Sequence, residues 1–107
     1  MYKDIDKDNM YSSIWNFPDN LIDAIDIGNN IILKNSYDNI EKVIIAGMGG
    51  SAIGGDVVAI LGKEKLKTPL FVIRDYTLPS WIDDKTLIIC SSYSGNTEET
   101  LSVLNCA

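Results

Sequence analysis

Histidine is absent from this 107-residue chain. Chemistry built on an imidazole, including a Cys–His pair, is therefore excluded for these residues, and neither cysteine has the partner that would activate it. Cysteine itself is scarce. Cys90 falls in an apolar run of strand type and Cys106 in a predicted helix. Both read as small buried hydrophobes of a reducing compartment rather than as a disulfide framework. Basic residues are also few, nine Lys and Arg against fifteen Asp and Glu, for a formal net charge of −6. That deficit argues against nucleic acid or an anionic membrane as partner, since both need clustered Lys and Arg. It does not argue against a small phosphorylated ligand, which backbone amides and hydroxyls can hold without net positive charge. No apolar run approaches the roughly 18 residues that span a bilayer. The start, Met1 to Asp8, lacks the apolar core of a secretory signal, so a cytoplasmic protein is expected. No Gly-Lys-Ser/Thr occurs, which excludes a Walker phosphate loop.

What is present is enough for one modest core. The 46% hydrophobic and 22% charged content is that of an ordinary soluble domain, and a chain this long buries about two-thirds of its unfolded surface. Residues 1–17 are polar with scattered aromatics and read as an arm or short helix. Pro18 opens a helix over 18–34, where Leu21, Ile25, Gly28 and Ile32 fall on one stripe. Asn35 to Asn39 is a turn cluster. Three short apolar runs follow, 43–46, 70–73 and 86–90, β-branched and bounded by turn residues, as in buried parallel strands. Between the first two lies a predicted helix from Ser51 to about Leu61, with Gly62 as its C-cap, and a last helix begins near Thr97. This β-α-β-loop-β-α order predicts an α/β fold, a doubly wound three-layer sandwich with a parallel sheet. The last helix has no C-cap and no following strand, so a fold cut off after the third strand and its helix is expected. The corresponding division is an arm and helix over 1–35 and an incomplete sheet domain over 36–107. An uncovered edge on such a sheet predicts association with a partner copy.

Two loops carry the chemistry. Gly47-Met48-Gly49-Gly50-Ser51-Ala52-Ile53-Gly54-Gly55 leaves the first strand, and Ser91-Ser92-Tyr93-Ser94-Gly95-Asn96-Thr97 leaves the third. A parallel sheet presents both at the carboxyl ends of its strands, where open α/β sheets bind ligands. Loops of small residues opening onto helix amino termini suit an anion, most often phosphate. The hydroxyls of Ser92, Ser94 and Thr97, with the Gly95 and Asn96 amides, are placed to converge on one phosphate. Ser51 has two roles open to it, N-cap or ligand donor.

Other residues have plainer readings. The first loop also satisfies the G-x-G-x-x-A dinucleotide fingerprint, with Asp75 where a ribose-binding acid would stand, but that motif leaves the second loop unused. Glu98 and Glu99 read as helix-end acids, with Asn96-x-x-Glu99 at capping-box spacing, before they read as a general base. Arg74 either clamps a ligand or pairs with Asp75. Trp15 and Trp81 read as packing residues.

The two loops resemble a known family. The run Gly47 to Asp56, the run Ser91 to Thr100, Asn16-Phe17-Pro18, and Arg74-Asp75-Tyr76-x-Leu78-Pro79 are similar to the amino-terminal part of the bifunctional phosphoglucose/phosphomannose isomerases, in the sugar isomerase (SIS) superfamily. The resemblance implies a flavodoxin-like SIS fold and a hexose 6-phosphate ligand. Ser92, Ser94 and Thr97 would hold the phosphate, and Gly49, Gly50 and Ser51 would line the pocket beside the sugar. It implies aldose–ketose isomerisation through an enediol, no cofactor, and a site shared across a homodimer. It places the base, the ring-opening His and a catalytic Lys and Arg in sequence this chain does not contain, so no catalytic residue is expected here. A non-catalytic SIS module that binds a sugar phosphate is the alternative. A dinucleotide-binding dehydrogenase piece is a weaker one.

Overall fold

The computed structural model describes residues 2–107. The chain divides into two units, Met1–Ser36 and Tyr37–Ala107. The first holds three helices, α1 (Tyr2–Ile5), α2 (Met10–Trp15) and α3 (Phe17–Asn30). Of the arm or short helix expected over 1–17 the helical reading holds, as two short helices, and local bonds explain why. The Asp6 carboxylate accepts the Met10 and Tyr11 amides at 2.6 and 2.8 Å, capping α2. Asn9 takes φ +56 to make the turn, a conformation that Asn tolerates better than most residues. Pro18 sits in the first turn of α3 as predicted. That helix ends at Asn30, four residues early, where the Asn30 side-chain Nδ2 donates to the Asp26 carbonyl at 2.8 Å and Ile31 is extended. Neither α2 nor α3 has a buried residue.

The second unit is a three-stranded parallel sheet in the order β2-β1-β3, with β1 at Lys42–Gly47, β2 at Leu70–Ile73 and β3 at Thr86–Ser91. Helix α4 (Gly49–Gly62) joins β1 to β2, and α5 (Glu98–Cys106) follows β3. The central strand comes from the β-branched run predicted for it. Its register sets Val43 beside Leu70 and Leu87, and Ala46 beside Ile73 and Cys90.

Alternation along β1 assigns the two faces. Ile45 faces α4, where Gly55 allows close approach: a Cβ there would lie 3.1 Å from Ile45 Cγ2 and 3.2 Å from Val72 Cγ2. Ile44 and Ala46 point the other way and are 0% and 1% exposed. They lie under α5, which packs on β1 and β3 and buries Thr100 and Val103. Burying a side chain the size of Ile44 or Val103 stabilises by about 1.5–3 kcal/mol. The outer face of α4 is also apolar, yet Ile53, Val57, Ile60 and Leu61 on it are exposed.

Side-chain pairs fix the loops at the amino ends of the strands. Trp81 packs on Phe71 with ring centroids 4.9 Å apart, the packing role expected of it. Lys42 Nζ lies 5.9 Å from the Trp81 centroid and bonds Asp83 Oδ2 at 2.7 Å. The Lys42 bond, with another from Thr86, lowers the Asp83 pKa from its usual value. A shallow concavity of about 310 Å³ between Asp38–Glu41 and Asp84–Lys85 lies at this same end, crossed by the 2.5 Å Lys85–Glu41 ion pair.

Gly62 does not cap α4. It is the last helical residue, followed by Lys63 in ordinary right-handed geometry. The turn beyond it bends back, Leu66 N donating to Gly62 O at 2.7 Å, and a Cβ at Gly62 would lie 2.5 Å from Leu66 Cδ1. The glycine leaves room for the Leu66 side chain and does not take left-handed backbone.

Candidate functional site

The chain leaves β1 through α4 toward β2 on one edge, then returns past β1 to form β3 on the other. The connections at the carboxyl ends of β1 and β3 therefore run off in opposite directions and open a crevice between them, the switch point of a doubly wound sheet. Gly47 and Ser91 are register partners at this level. A Cβ on Gly47 would lie 3.0 Å from Ser91 O and 3.3 Å from Ala52 N, so a side chain here would press backbone of β3 and α4 apart, and glycine lets the three elements meet without that shift.

The loop after Gly47 is short. Met48 is extended at φ −121 and serves as N-cap, Gly49 takes φ +51, and Ser51 N donates to Met48 O at 3.1 Å. Ser51 is therefore the third helical residue and not the N-cap, and it is half-buried. Gly49 and Gly50 are exposed at the start of α4, where helix geometry leaves the first amides without intrahelical acceptors.

The loop after Ser91 is built on its own hydroxyls. Ser92 Oγ lies 2.9 Å from Thr97 Oγ1 and accepts the Gly95 amide at 3.0 Å, while Ser94 Oγ accepts the Asn96 amide at 3.2 Å. Gly95 takes φ +72, which closes the turn. These bonds revise the expectation that the Gly95 and Asn96 amides face a ligand, because both are spent inside the loop. What remains is hydroxyl hydrogen. Within the Ser92–Thr97 pair one hydroxyl donates to the other, which leaves one O–H free to point outward whichever way the pair is arranged. Ser94, acting as acceptor toward Asn96, keeps its own. An anion at this loop would meet two hydroxyl donors and the first amides of α5.

Thr97 is the N-cap of α5 and makes no side-chain cap bond, so the Asn96-x-x-Glu99 capping box is not formed. Glu98 and Glu99 still complement the helix dipole from the first turn. Neither loop contains Lys or Arg. Arg74, just beyond β2, pairs with Asp56 of α4 rather than with Asp75. Both partners are about 40% exposed, and such a pair contributes at most about 1 kcal/mol. Asp75 turns inward on its own loop, its Oδ1 accepting the Tyr76 amide at 2.6 Å. Cys90, half-buried in β3, has its pKa raised by burial, which favours the protonated thiol.

One contact has no signal in local sequence. Ser102 Oγ of α5 donates to Tyr76 O at 2.9 Å, and Tyr76 Oη lies 3.4 Å from Glu98 Oε2. The loop after β2 thereby reaches α5 beside the hydroxyl loop. The Glu99 charge first, then partial desolvation and the Glu98 charge, raise the Tyr76 phenol pKa above its usual 10.0.

Curated proteins match this chain at about half identity. Over 93 residues, 87% of its length, the chain is 50% identical to a bifunctional phosphoglucose/phosphomannose isomerase of Caldicellulosiruptor bescii and covers 27% of that protein. A protein of the same name from Thermoplasma volcanium is 53% identical over 62 residues, 58% of this chain and 19% of the relative. The chain is a partial member of the bifunctional phosphoglucose/phosphomannose isomerase family. Its resemblance to an isomerase of that family is matched more weakly by a D-glucosamine-6-phosphate 4-epimerase of Sulfolobus acidocaldarius, 40% identical over 62 residues, 58% of this chain and 19% of that protein. No family model and no solved structure matches the chain. The chain spans between 19% and 27% of the length of these relatives. Among the described residues, no helix is long and apolar enough to cross a membrane.

Proposed function

We propose that this chain is the phosphate-holding part of a sugar-phosphate isomerase that interconverts glucose 6-phosphate or mannose 6-phosphate with fructose 6-phosphate through an enediol. Ser92, Ser94 and Thr97 hold the phosphate, and Gly49, Gly50 and Ser51 form the wall beside the sugar. The observation that carries this reading is the pairing of Gly47 with Ser91, which sets the glycine loop and the hydroxyl loop side by side at one switch point. The names of the relatives support the substrate class, since isomerase and epimerase names alike specify a sugar phosphate. On this reading the sheet is the first portion of a SIS domain in a cytoplasmic enzyme. The exposed apolar face of α4 and the edge strands are covered by further chain or by a partner copy.

The chemistry of proton transfer lies outside these residues. Isomerisation needs a base at the sugar carbon and an acid for ring opening, each worth about 10²–10⁴-fold. This chain has no His, and of the carboxylates beside its loops Asp75 accepts the Tyr76 amide and Glu98 lies against the Tyr76 phenol. The chain alone therefore binds substrate without turning it over. Its runner-up role, a non-catalytic sugar-phosphate module, makes the same binding prediction. Both are tested by calorimetric titration with fructose 6-phosphate, with NAD as control and an isomerisation assay on the same sample. Binding of fructose 6-phosphate without turnover is expected. Binding of NAD in place of the sugar phosphate would overturn both readings, and turnover would overturn the assignment of catalysis to other sequence.

A further inference from the structure

The proposed site has an electrostatic problem. Glu98 and Glu99 are the first two residues of α5, immediately after the loop that is to hold a phosphate dianion. Neither loop offers a cation in compensation. Carboxylates swinging over the first amides of the helix would occupy those amides and repel the ligand. Their surroundings indicate what prevents it. Glu98 and Ser102 stand four residues apart and share one flank of α5, with Glu99 beside them and Thr100 and Val103 turned to the sheet. Tyr76 lies against that flank. Its carbonyl accepts from Ser102 Oγ at 2.9 Å, and its phenol reaches Glu98 Oε2 at 3.4 Å. Its amide in turn donates to Asp75 Oδ1 at 2.6 Å, fixing the loop that carries it.

We propose that Tyr76 is a positioning residue for the anion site: its phenol holds the Glu98 carboxylate on the flank of α5, clear of the amides and hydroxyls that take the phosphate. This inference rests on the functional reading above and extends it to the β2–β3 loop. It accounts for an otherwise unused residue that links the loops beyond the two edge strands of the sheet. The raised phenol pKa agrees with it, since a phenol between two carboxylates stays protonated and keeps its donor hydrogen.

The experiment compares fructose 6-phosphate affinity of the full chain and its variants by calorimetry. Tyr76→Phe keeps the ring and the Ser102 bond to the main chain but removes the donor. It is expected to weaken binding about threefold to tenfold at low ionic strength. The loss should shrink at about 0.15 M salt, where charges are screened beyond about 8 Å. Adding E98Q and E99Q to Tyr76→Phe is expected to restore wild-type affinity, which a purely structural role for the phenol would not do. Unchanged affinity in Tyr76→Phe, or a loss that the glutamines do not rescue, overturns the inference while wild-type binding leaves the functional reading intact. If the wild-type chain binds no fructose 6-phosphate, the functional reading fails and this inference fails with it.

Discussion

The glycine loop and the hydroxyl loop leave neighbouring strands at the same level, yet they are held in opposite ways. Gly47–Ser51 has almost no internal bonds. Its shape comes from what surrounds it, a strand on one side and the first turn of α4 on the other, and from glycine where those elements crowd it or turn it. Ser92–Thr97 is held by itself, through three short-range bonds among its own hydroxyls and amides. The first is a space with backbone donors at its rim. The second is a pre-shaped set of hydroxyls. A phosphate bound between them would draw rigidity from the second and room from the first, so defects in the two should fail differently.

The largest effect is expected at Gly47. Gly47→Ala places a methyl 3.0 Å from Ser91 O and 3.3 Å from Ala52 N, backbone atoms of two elements that cannot turn aside. A loss of about 2–3 kcal/mol of stability is expected, of the size overpacked cores show, read as a lower denaturation midpoint. Midpoints equal to wild type would mean that β1, β3 and α4 are not packed as described.

The smaller effect separates the hydroxyls. Ser92→Ala removes the acceptor of the Gly95 amide and the partner of Thr97, two bonds that shape the loop, whereas Ser94→Ala removes one hydroxyl donor and the acceptor of the Asn96 amide but leaves the Ser92–Thr97 pair in place. Ser92→Ala is therefore expected to weaken fructose 6-phosphate binding by about tenfold or more, and Ser94→Ala by less, with stability little changed in either. Calorimetry on the two variants decides it. Equal losses would show that the loop is not organised around Ser92.

Much of this was legible in the sequence because it is encoded locally. The run Leu70–Ile73 is the strand its β-branched pattern predicts, Pro18 stands in the first turn of its helix, and both loops follow strands and precede helices. The failures arise where polar groups compete for one partner, where a helix starts earlier than its first polar residue suggests, or where the contact is long-range. Asn96-x-x-Glu99 has capping-box spacing, but the Asn96 amide goes to Ser94 and Thr97 takes the cap position. Ser51 reads as a cap only if the helix starts there, whereas Gly49 starts it two residues earlier. Arg74 pairs with Asp56, eighteen residues away, since α4 brings that carboxylate back over β2 while Asp75 is taken by the Tyr76 amide. The Tyr76–Ser102 contact spans 26 residues and depends on the sheet order, which no local pattern specifies.

The central claim is that the two loops form one anion site at the β1–β3 switch point. It is tested most directly by amide NMR of the labelled chain during titration with fructose 6-phosphate. Saturable shifts confined to Gly49–Ser51 and to Ser94–Glu99, moving together with one dissociation constant, are predicted. Shifts centred instead on Asp38–Glu41 and Lys85, at the opposite ends of the same strands, or two loops that titrate independently, would contradict it.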